Sequence, residues 1–250
     1  MDVVGVIPAR FSSSRFEGKV IAKIAGKPMI QHVWERAKQA IILDELIIAC
    51  DDERVAQVAR EFGAKVVSTA KGHASGTDRI VEVINPLDVK VIVNIQGDEP
   101  LIHPVMIDKV AQELLDNPKA SMATIMKKIE DPKEIDDPNV VKVVVDKNNF
   151  ALYFSRAPIP FRAATSDIKN PAYYKHIGLY AYSKDFLFTY RNMPSSNLEK
   201  VEKLEQLRVL EEGYRIKVIE TKYDTIGVDT PEDLERAEKY FKEHKNDQAD

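Results

Sequence analysis

Val3-Val4-Gly5-Val6-Ile7-Pro8-Ala9-Arg10-Phe11-Ser12-Ser13-Ser14-Arg15-Phe16-Glu17-Gly18-Lys19 is the stretch on which the reading of the fold turns. Residues Val3 to Ile7 are apolar and largely β-branched, without polar alternation. That is the pattern of a strand covered on both faces. The ten residues from Arg10 to Lys19 hold two Arg, one Lys, three Ser and one Gly, with Glu17 the lone acid. A loop of this kind at the C-terminal end of a parallel strand suits an anion. Backbone N–H groups and small hydroxyls wrap its oxygens while Arg and Lys supply charge. A solvated basic loop would have the same composition, so both readings stand on this stretch alone. Neither GxxxxGK[ST] nor GxGxxG is present.

Outward from this stretch, strand-like and helix-like runs alternate. A helix is expected from Pro28 to Ala40, with Met29, Val33, Trp34 and Ala37 on one face. Leu46–Cys50 reads as a strand, Asp52 as the cap of a helix through Phe62, and Gly63 as its stop. Lys65–Ser68 and Val89–Ile95 read as further strands, with helices at Thr77–Ile84 and about Pro104–Leu115. The βαβα order argues for an α/β fold with a doubly wound, mainly parallel sheet. After about Ala120 the rhythm changes. Met122–Met126, Val140–Val145, Ala151–Ser155 and Ile177–Tyr182 read as strands, with Asp146-Lys147-Asn148-Asn149 as a hairpin turn. We read residues 120–182 as an antiparallel elaboration within a single domain spanning 1–250. Leu198 to Glu212 reads as one amphipathic helix, and Thr230-Pro231 as the cap and first turn of a final one.

Composition narrows the class. The chain has 250 residues, 44% hydrophobic, enough for a sizeable core. A net charge of −4 shows no basic excess, which argues against nucleic-acid binding. The single cysteine, Cys50, excludes an intrachain disulfide and a Cys-based zinc site. No apolar run approaches the ~20 residues of a membrane span, and Met1-Asp2 lead straight into a strand. A soluble, cytoplasmic protein without membrane insertion is expected.

Three further stretches carry chemistry. Gln96-Gly97-Asp98-Glu99-Pro100 follows an unbroken apolar strand, at the edge where open α/β sheets bind ligands. Asp98 there could hold Mg²⁺, a hard cation that prefers oxygen; Asp98 and Glu99 could equally cap the next helix. His73-Ala74-Ser75-Gly76-Thr77-Asp78-Arg79 is a small-residue loop entering a helix, suited to a base or ribose or to an ordinary cap by Ser75 or Thr77. Asp229, before the Thr230 cap, could share a metal with Asp98 if the last helix returns to the sheet's ligand edge. Spacing alone does not show that return.

Taken in order, these blocks resemble a known family. They are Ile7-Pro8-Ala9-Arg10-Phe11-x-Ser13-x-Arg15-x-x-Gly18-Lys19, Gly26-Lys27-Pro28-Met29-Ile30, Ser75-Gly76-Thr77-x-Arg79 and Asn94-x-Gln96-Gly97-Asp98-Glu99-Pro100. Ala151-Leu152-Tyr153-Phe154-Ser155-Arg156, Glu205-Gln206-Leu207-Arg208 and Gly227-Val228-Asp229-Thr230-Pro231-Glu232-Asp233-Leu234 complete the set. The chain resembles the 3-deoxy-manno-octulosonate (Kdo) cytidylyltransferases, or CMP-Kdo synthetases, of lipopolysaccharide synthesis, from about residue 4 to residue 235. Phe16-Glu17 departs from the Leu-Pro usual in that family. No motif matches between Phe161 and Pro171.

The resemblance implies a nucleotidyltransferase-like fold and a reaction in which CTP and Kdo give CMP-Kdo and pyrophosphate. It implies that Arg10, Ser13, Arg15 and Lys19 grip the triphosphate, that Ala9, Ser75, Gly76, Arg79 and Gln96 border the cytidine, and that Asp98 and Asp229 hold Mg²⁺. Arg156, His176, Tyr180, Glu205 and Gln206 would face the sugar acid. The expected mechanism is in-line attack of the anomeric 2-hydroxyl on the α-phosphorus, with one Mg²⁺ on the triphosphate, Arg15 and Lys19 stabilising the leaving group, and a second Mg²⁺, held by Asp98 and Asp229, activating the hydroxyl. Relatives are dimers, so a homodimer is expected. A sialic-acid cytidylyltransferase is the nearest alternative. A nucleotide-sugar glycosyltransferase is further off, for want of an Asp-x-Asp motif. A nucleotide-binding module without activity would need neither the sugar set nor the two metal carboxylates.

Overall fold

A computed structural model of the chain describes residues 1–12, 16–73, 75–163, 165–168 and 171–244. In chain order the elements are β1 (Val3–Ala9), a 3-10 turn (Lys19–Ile21), β2 (Lys23–Ile24), β3 (Lys27–Pro28), α1 (Met29–Ala37), β4 (Glu45–Cys50), α2 (Glu53–Glu61), β5 (Lys65–Ser68), α3 (Gly76–Ile84), β6 (Val91–Asn94) and α4 (Pro104–Asp116). There follow β7 (Met122–Lys128), α5 (Lys133–Asp136), β8 (Lys142–Val145), β9 (Ala151–Ser155), β10 (Tyr174–Ser183), α6 (Lys184–Asn192), α7 (Asn197–Glu202), α8 (Gln206–Glu211), β11 (Ile216–Thr221) and α9 (Pro231–Glu243). The sequence reading treated 1–250 as one domain. The contacts group into two compact units, Met1–Asp108 with Asp224–Asp250, and Lys109–Tyr223. The second unit takes in the whole antiparallel segment.

In the first unit the strands lie in the order β6-β1-β4-β5, all parallel. The chain steps outward from β1 to β4 and β5, then returns to place β6 on the other side of β1. β1 and β6 therefore flank a topological switch point, where loops leaving the two strands diverge and open a crevice. The β-branched run reads as expected: Val3, Val4, Val6 and Ile7 are buried. Asp52 caps α2, its carboxylate accepting the Arg54 N–H at 3.0 Å. Gly97 is needed where these strands end. A Cβ there would lie 3.1 Å from the Pro8 carbonyl oxygen.

The second unit is mixed. β7 pairs parallel with β11 and antiparallel with β10. β8 pairs antiparallel with both β10 and β9. The Asp146–Asn149 turn joins β8 to β9 as expected; the Asp146 carboxylate accepts the N–H groups of Asn148 and Phe150. The helix expected over 198–212 is two helices, α7 and α8. Lys203 between them adopts φ +57° and donates its N–H to the Glu199 carbonyl at 2.8 Å, closing α7. The turn at Lys203 swings Val201 out to 81% exposure. A charge-assisted pair, Arg208 to Glu199, ties the two helices together across the break. Apolar spacing alone cannot reveal such a break, because Leu204 and Leu207 remain buried on both readings. No helix among the described residues is long and apolar enough to cross a membrane.

Candidate active site

Three loops of the first unit meet at one ammonium. Gly18, at φ +67°, turns the chain into the 3-10 helix that begins with Lys19. Lys19 Nζ donates to Asp98 Oδ2 at 2.6 Å, to Asp229 Oδ1 at 2.8 Å and to the Val228 carbonyl at 3.3 Å. The last helix does return to the ligand edge of the sheet. The Val228 N–H donates to the Asp98 carbonyl at 2.9 Å. Val228 itself is buried in a cluster with Ile24, Met29, Leu101, Ala237 and Phe241. Thr230 and Asp233 form a capping box at the start of α9, and Asp233 also accepts the Asp229 N–H at 3.1 Å. Asp229 is thus presented by a helix entry fixed from both sides. Burial works to lower the Lys19 pKa, but the charges and hydrogen bonds of Asp98 and Asp229 overcome it and hold the ammonium above the ordinary lysine value.

Glu99, read from the sequence only as a possible cap of the next helix, lies next to this triad, partly exposed but with Oε2 shielded from solvent. Its carboxyl is pushed up to about 8, first by burial and then by repulsion from Asp98, so it is protonated at neutral pH. Thr225 hydrogen-bonds to it, while Oε2 has no partner. Gly227 passes so close that a Cβ would sit 3.2 Å from Glu99 Oε1. The signal available in the sequence was two successive acids at a strand end, where two adjacent charges are costly to bury and one is driven neutral.

Other expected residues fall around the same switch point. Ala9 is buried at the end of β1, Arg10 is exposed, and Gln96 donates to Asn94 at 3.3 Å. Ser75 caps α3 in a capping box with Asp78, so its cap role is realised. Gly76 brings the helix entry alongside the Pro8 ring. Arg79 lies in the interior, wholly buried. Its guanidinium donates to Asp51 at 2.7 Å and to Thr69, and its Nε has no partner. Arg79 therefore joins the ends of β4 and β5 from within the interior. Asp51 and Thr69 had no signal in the sequence beyond standing at strand ends. Ser13 and Arg15 lie outside the described residues.

The second unit gathers the rest. β10 carries an irregularity between Ile177 and Tyr180: Ile177 pairs with Ile125 and Tyr180 with Thr124. In a regular strand, His176 and Tyr180 would be ~13 Å apart. The extra residues bring their rings to 5.4 Å. The Thr124 hydroxyl donates to the Leu179 carbonyl at 2.8 Å and lies 2.9 Å from His176 Nε2. A hydroxyl has one proton to give, so it accepts from Nε2–H, which sets the histidine tautomer. Burial drives His176 down to about 3, leaving the imidazole neutral. Burial likewise raises Tyr180 well above the usual tyrosine value, with Tyr190 and Glu205 adding to it. Gln206 begins α8, nearly fully buried, with its Nε2 donors unpartnered. Arg156 spends its donors on neutral carbonyls, Nε to Glu202 at 2.9 Å and Nη1 to Pro138 at 2.8 Å. Carbonyls fix a guanidinium without neutralising it.

Comparison with known proteins identifies the family. Residues 4–219 match a family model described as cytidylyltransferase. The chain is 56% identical over 240 residues to a 3-deoxy-manno-octulosonate cytidylyltransferase of Solibacter usitatus (strain Ellin6076), covering 96% of this chain and 94% of that protein. It is 50% identical over 244 residues to the enzyme of the same name from Geobacter sulfurreducens (strain ATCC 51573 / DSM 12127 / PCA), covering 94% of this chain and 98% of that one. Among solved structures it matches CMP:2-keto-3-deoxy-manno-octonic acid synthetase complexed with CTP. That match has a TM-score of 0.91 and 42% identity, over 98% of this chain and all of the other. With matches of this extent on a doubly wound sheet, the chain belongs to the cytidylyltransferase family, among the 3-deoxy-manno-octulosonate cytidylyltransferases.

Proposed function

We propose that the protein joins CTP to 3-deoxy-manno-octulosonate, giving CMP-Kdo and pyrophosphate, and so activates the sugar acid for lipopolysaccharide synthesis. The observation that carries this reading is the meeting of Asp98 and Asp229 on one cation, Lys19 Nζ, at the switch point of the sheet. Two carboxylates that converge on a cation supply hard oxygen donors of the kind Mg²⁺ takes, with substrate phosphates completing its shell. Among the described residues no group of three or more His, Cys, Asp or Glu could hold a metal unaided, which fits an ion that depends on phosphate oxygens. Asp98 and Asp229 would hold that ion, whose chemistry when bound is to neutralise phosphate charge and acidify a hydroxyl.

The remaining work falls to the chain's own side chains. In the reaction, the anomeric 2-oxygen of the sugar bonds to the α-phosphorus as the bond from that phosphorus to the pyrophosphate oxygen breaks. Arg10 and Lys19, with Ser13 and Arg15 by resemblance, offset the negative charge of the triphosphate. Lys19 stays protonated because its carboxylate neighbours keep it so. Ala9, Gly76, Ser75 and Gln96 border the cytidine, with Arg79 supporting their loops. In the second unit, Arg156 offers a guanidinium to the sugar carboxylate. Gln206 offers a buried amide with free donors to a hydroxyl. His176, Tyr180 and Glu205 supply the other polar groups; the first two, partly buried and uncharged, suit neutral hydroxyls. No protein nucleophile is required. Cytoplasmic placement and a homodimer belong to the same proposal. The large exposure of Leu152 and Phe161 in the second unit supports the dimer, and a light-scattering mass of one chain would refute it.

Pyrophosphate release from CTP and Mg²⁺ with Kdo, set against the same assay with sialic acid, tests the reading. Release with Kdo alone is expected. Release with sialic acid alone would transfer the chain to the rival substrate, and CTP binding without release from either would make it a binding module.

A further inference from the structure

Arg54, on the first turn of α2, is not a member of any motif and touches none of the residues placed above in the site. Its guanidinium is nevertheless fixed with care. Nε and Nη2 donate to the two oxygens of Asp52 at 2.8 and 2.7 Å, and Asp52 is itself locked as the cap of α2. The plane so held lies over the Phe11 ring, with Cζ 3.4 Å from the ring centroid. Phe11 in turn closes the loop that ends at Lys19. Its carbonyl accepts the Gly18 N–H at 2.8 Å, and its ring packs where a Gly18 side chain would be, 3.2 Å from the position of a Cβ. Glu17, the acid that departs from the family pattern, adds an attractive charge on Arg54.

We propose that Arg54 is a positioning residue for the triphosphate loop: stacked on Phe11 and gripped by Asp52, it holds the Phe11–Gly18 closure from which Lys19 projects. The assignment deepens the CTP reading above and rests on it for the substrate. The chain of contacts runs from the rigid entry of α2 through the Arg54 plane and the Phe11 ring to Gly18, one residue before the ammonium that bridges Asp98 and Asp229. Glu17 has a place in it as an exposed charge that acts on the guanidinium. A lysine at position 54 would keep the charge toward Glu17 but lose the planar fork and the stacking face.

The test compares Arg54→Ala and Arg54→Lys with the parent by two measurements. In steady-state pyrophosphate release, both variants are expected to raise KM for CTP about fivefold, the size of an exposed cation–π contact. Both should leave KM for Kdo and kcat within about twofold. In amide hydrogen exchange without substrates, the Gly18 N–H is expected to exchange about fivefold faster in both variants, the same contact now read as local opening. An unchanged KM for CTP with unchanged Gly18 exchange overturns the proposal. Full recovery by Arg54→Lys overturns it too, since charge alone would then suffice. If the parent releases no pyrophosphate with CTP and Kdo, the functional reading fails, and the Gly18 exchange still decides whether Arg54 holds the loop.

Discussion

The two units solve recognition in opposite ways. The first handles charge with charge: Lys19 is paired at hydrogen-bond distance with Asp98 and Asp229, and their charges hold its ammonium above the ordinary lysine value. The second adds neutral, shielded polar groups to the cation of Arg156. His176 lies far below its ordinary pKa and Tyr180 far above, both through burial, and Gln206 holds donors with no partner in the protein. The contrast follows from the ligands each would meet. A triphosphate arrives with its own charge and is best met by ions set in place beforehand. A sugar's hydroxyls carry none, and discrimination among them comes from buried donors that are left unsatisfied by the wrong partner.

If that division is right, substitutions in the two units should fail in different ways. Asp98→Asn removes one of the two carboxylates while keeping shape. It is expected to cost on the order of a hundred- to a thousandfold in kcat, in the range of losing a preorganised electrostatic group, with the protein folded and CTP still bound. Pyrophosphate release and CTP titration check this, and near-parental turnover would remove Asp98 from the metal role. Gly227→Ala should come next. Its new Cβ would press on Glu99 Oε1 at 3.2 Å and displace the segment that delivers Asp229. A loss of about 1–3 kcal/mol in stability, typical of overpacking, is expected in urea melts together with lower kcat. Gln206→Leu should break the other side of the comparison. It is expected to raise KM for Kdo roughly tenfold, the worth of a buried hydrogen bond, and to leave KM for CTP alone. An equal rise for both substrates would show that the units do not divide the work as described.

Much of the first unit was legible because its signals are local. An unbroken β-branched run, a glycine and then an acid mark a strand that ends at a ligand edge, and Thr230-Pro231 with Asp233 marks a helix entry. What could not be read was that the two meet. That depends on the Val228 N–H reaching the Asp98 carbonyl and on Val228, Ala237 and Phe241 packing with Ile24 and Met29, contacts between about 130 and 220 residues apart in sequence. The Arg79 reading shows the converse. Its place on the first turn of α3 is local and was seen, but its burial against Asp51 and Thr69 is set by the ends of two other strands. In the second unit even local signals misled. The spacing of Val201, Leu204 and Leu207 is unbroken through a helix that the left-handed Lys203 divides. The irregularity that brings Tyr180 beside His176 leaves no trace but Gly178.

His176 allows the comparison to be sharpened where activity is not the measure. At neutral pH its substitution should do least to the pH dependence of folding, because the imidazole is uncharged in the folded and nearly so in the unfolded chain. Its folded pKa of about 3 lies below the ordinary 6.5. Between those values the unfolded chain binds a proton that the folded chain refuses. Stability from this group is therefore complete above pH 6.5 and is lost as pH falls toward 3, by about 1.4 kcal/mol for each unit across the window. Urea melts of the parent between pH 7 and 5 should fall more steeply than those of His176→Gln, which keeps a donor for Thr124 and has nothing to titrate. Lys19, Asp98 and Asp229 are common to both proteins and drop out of the difference. Equal slopes would mean that the imidazole takes its proton without unfolding. His176 would then carry a charge in the folded chain, and the distinction between the units would be one of degree.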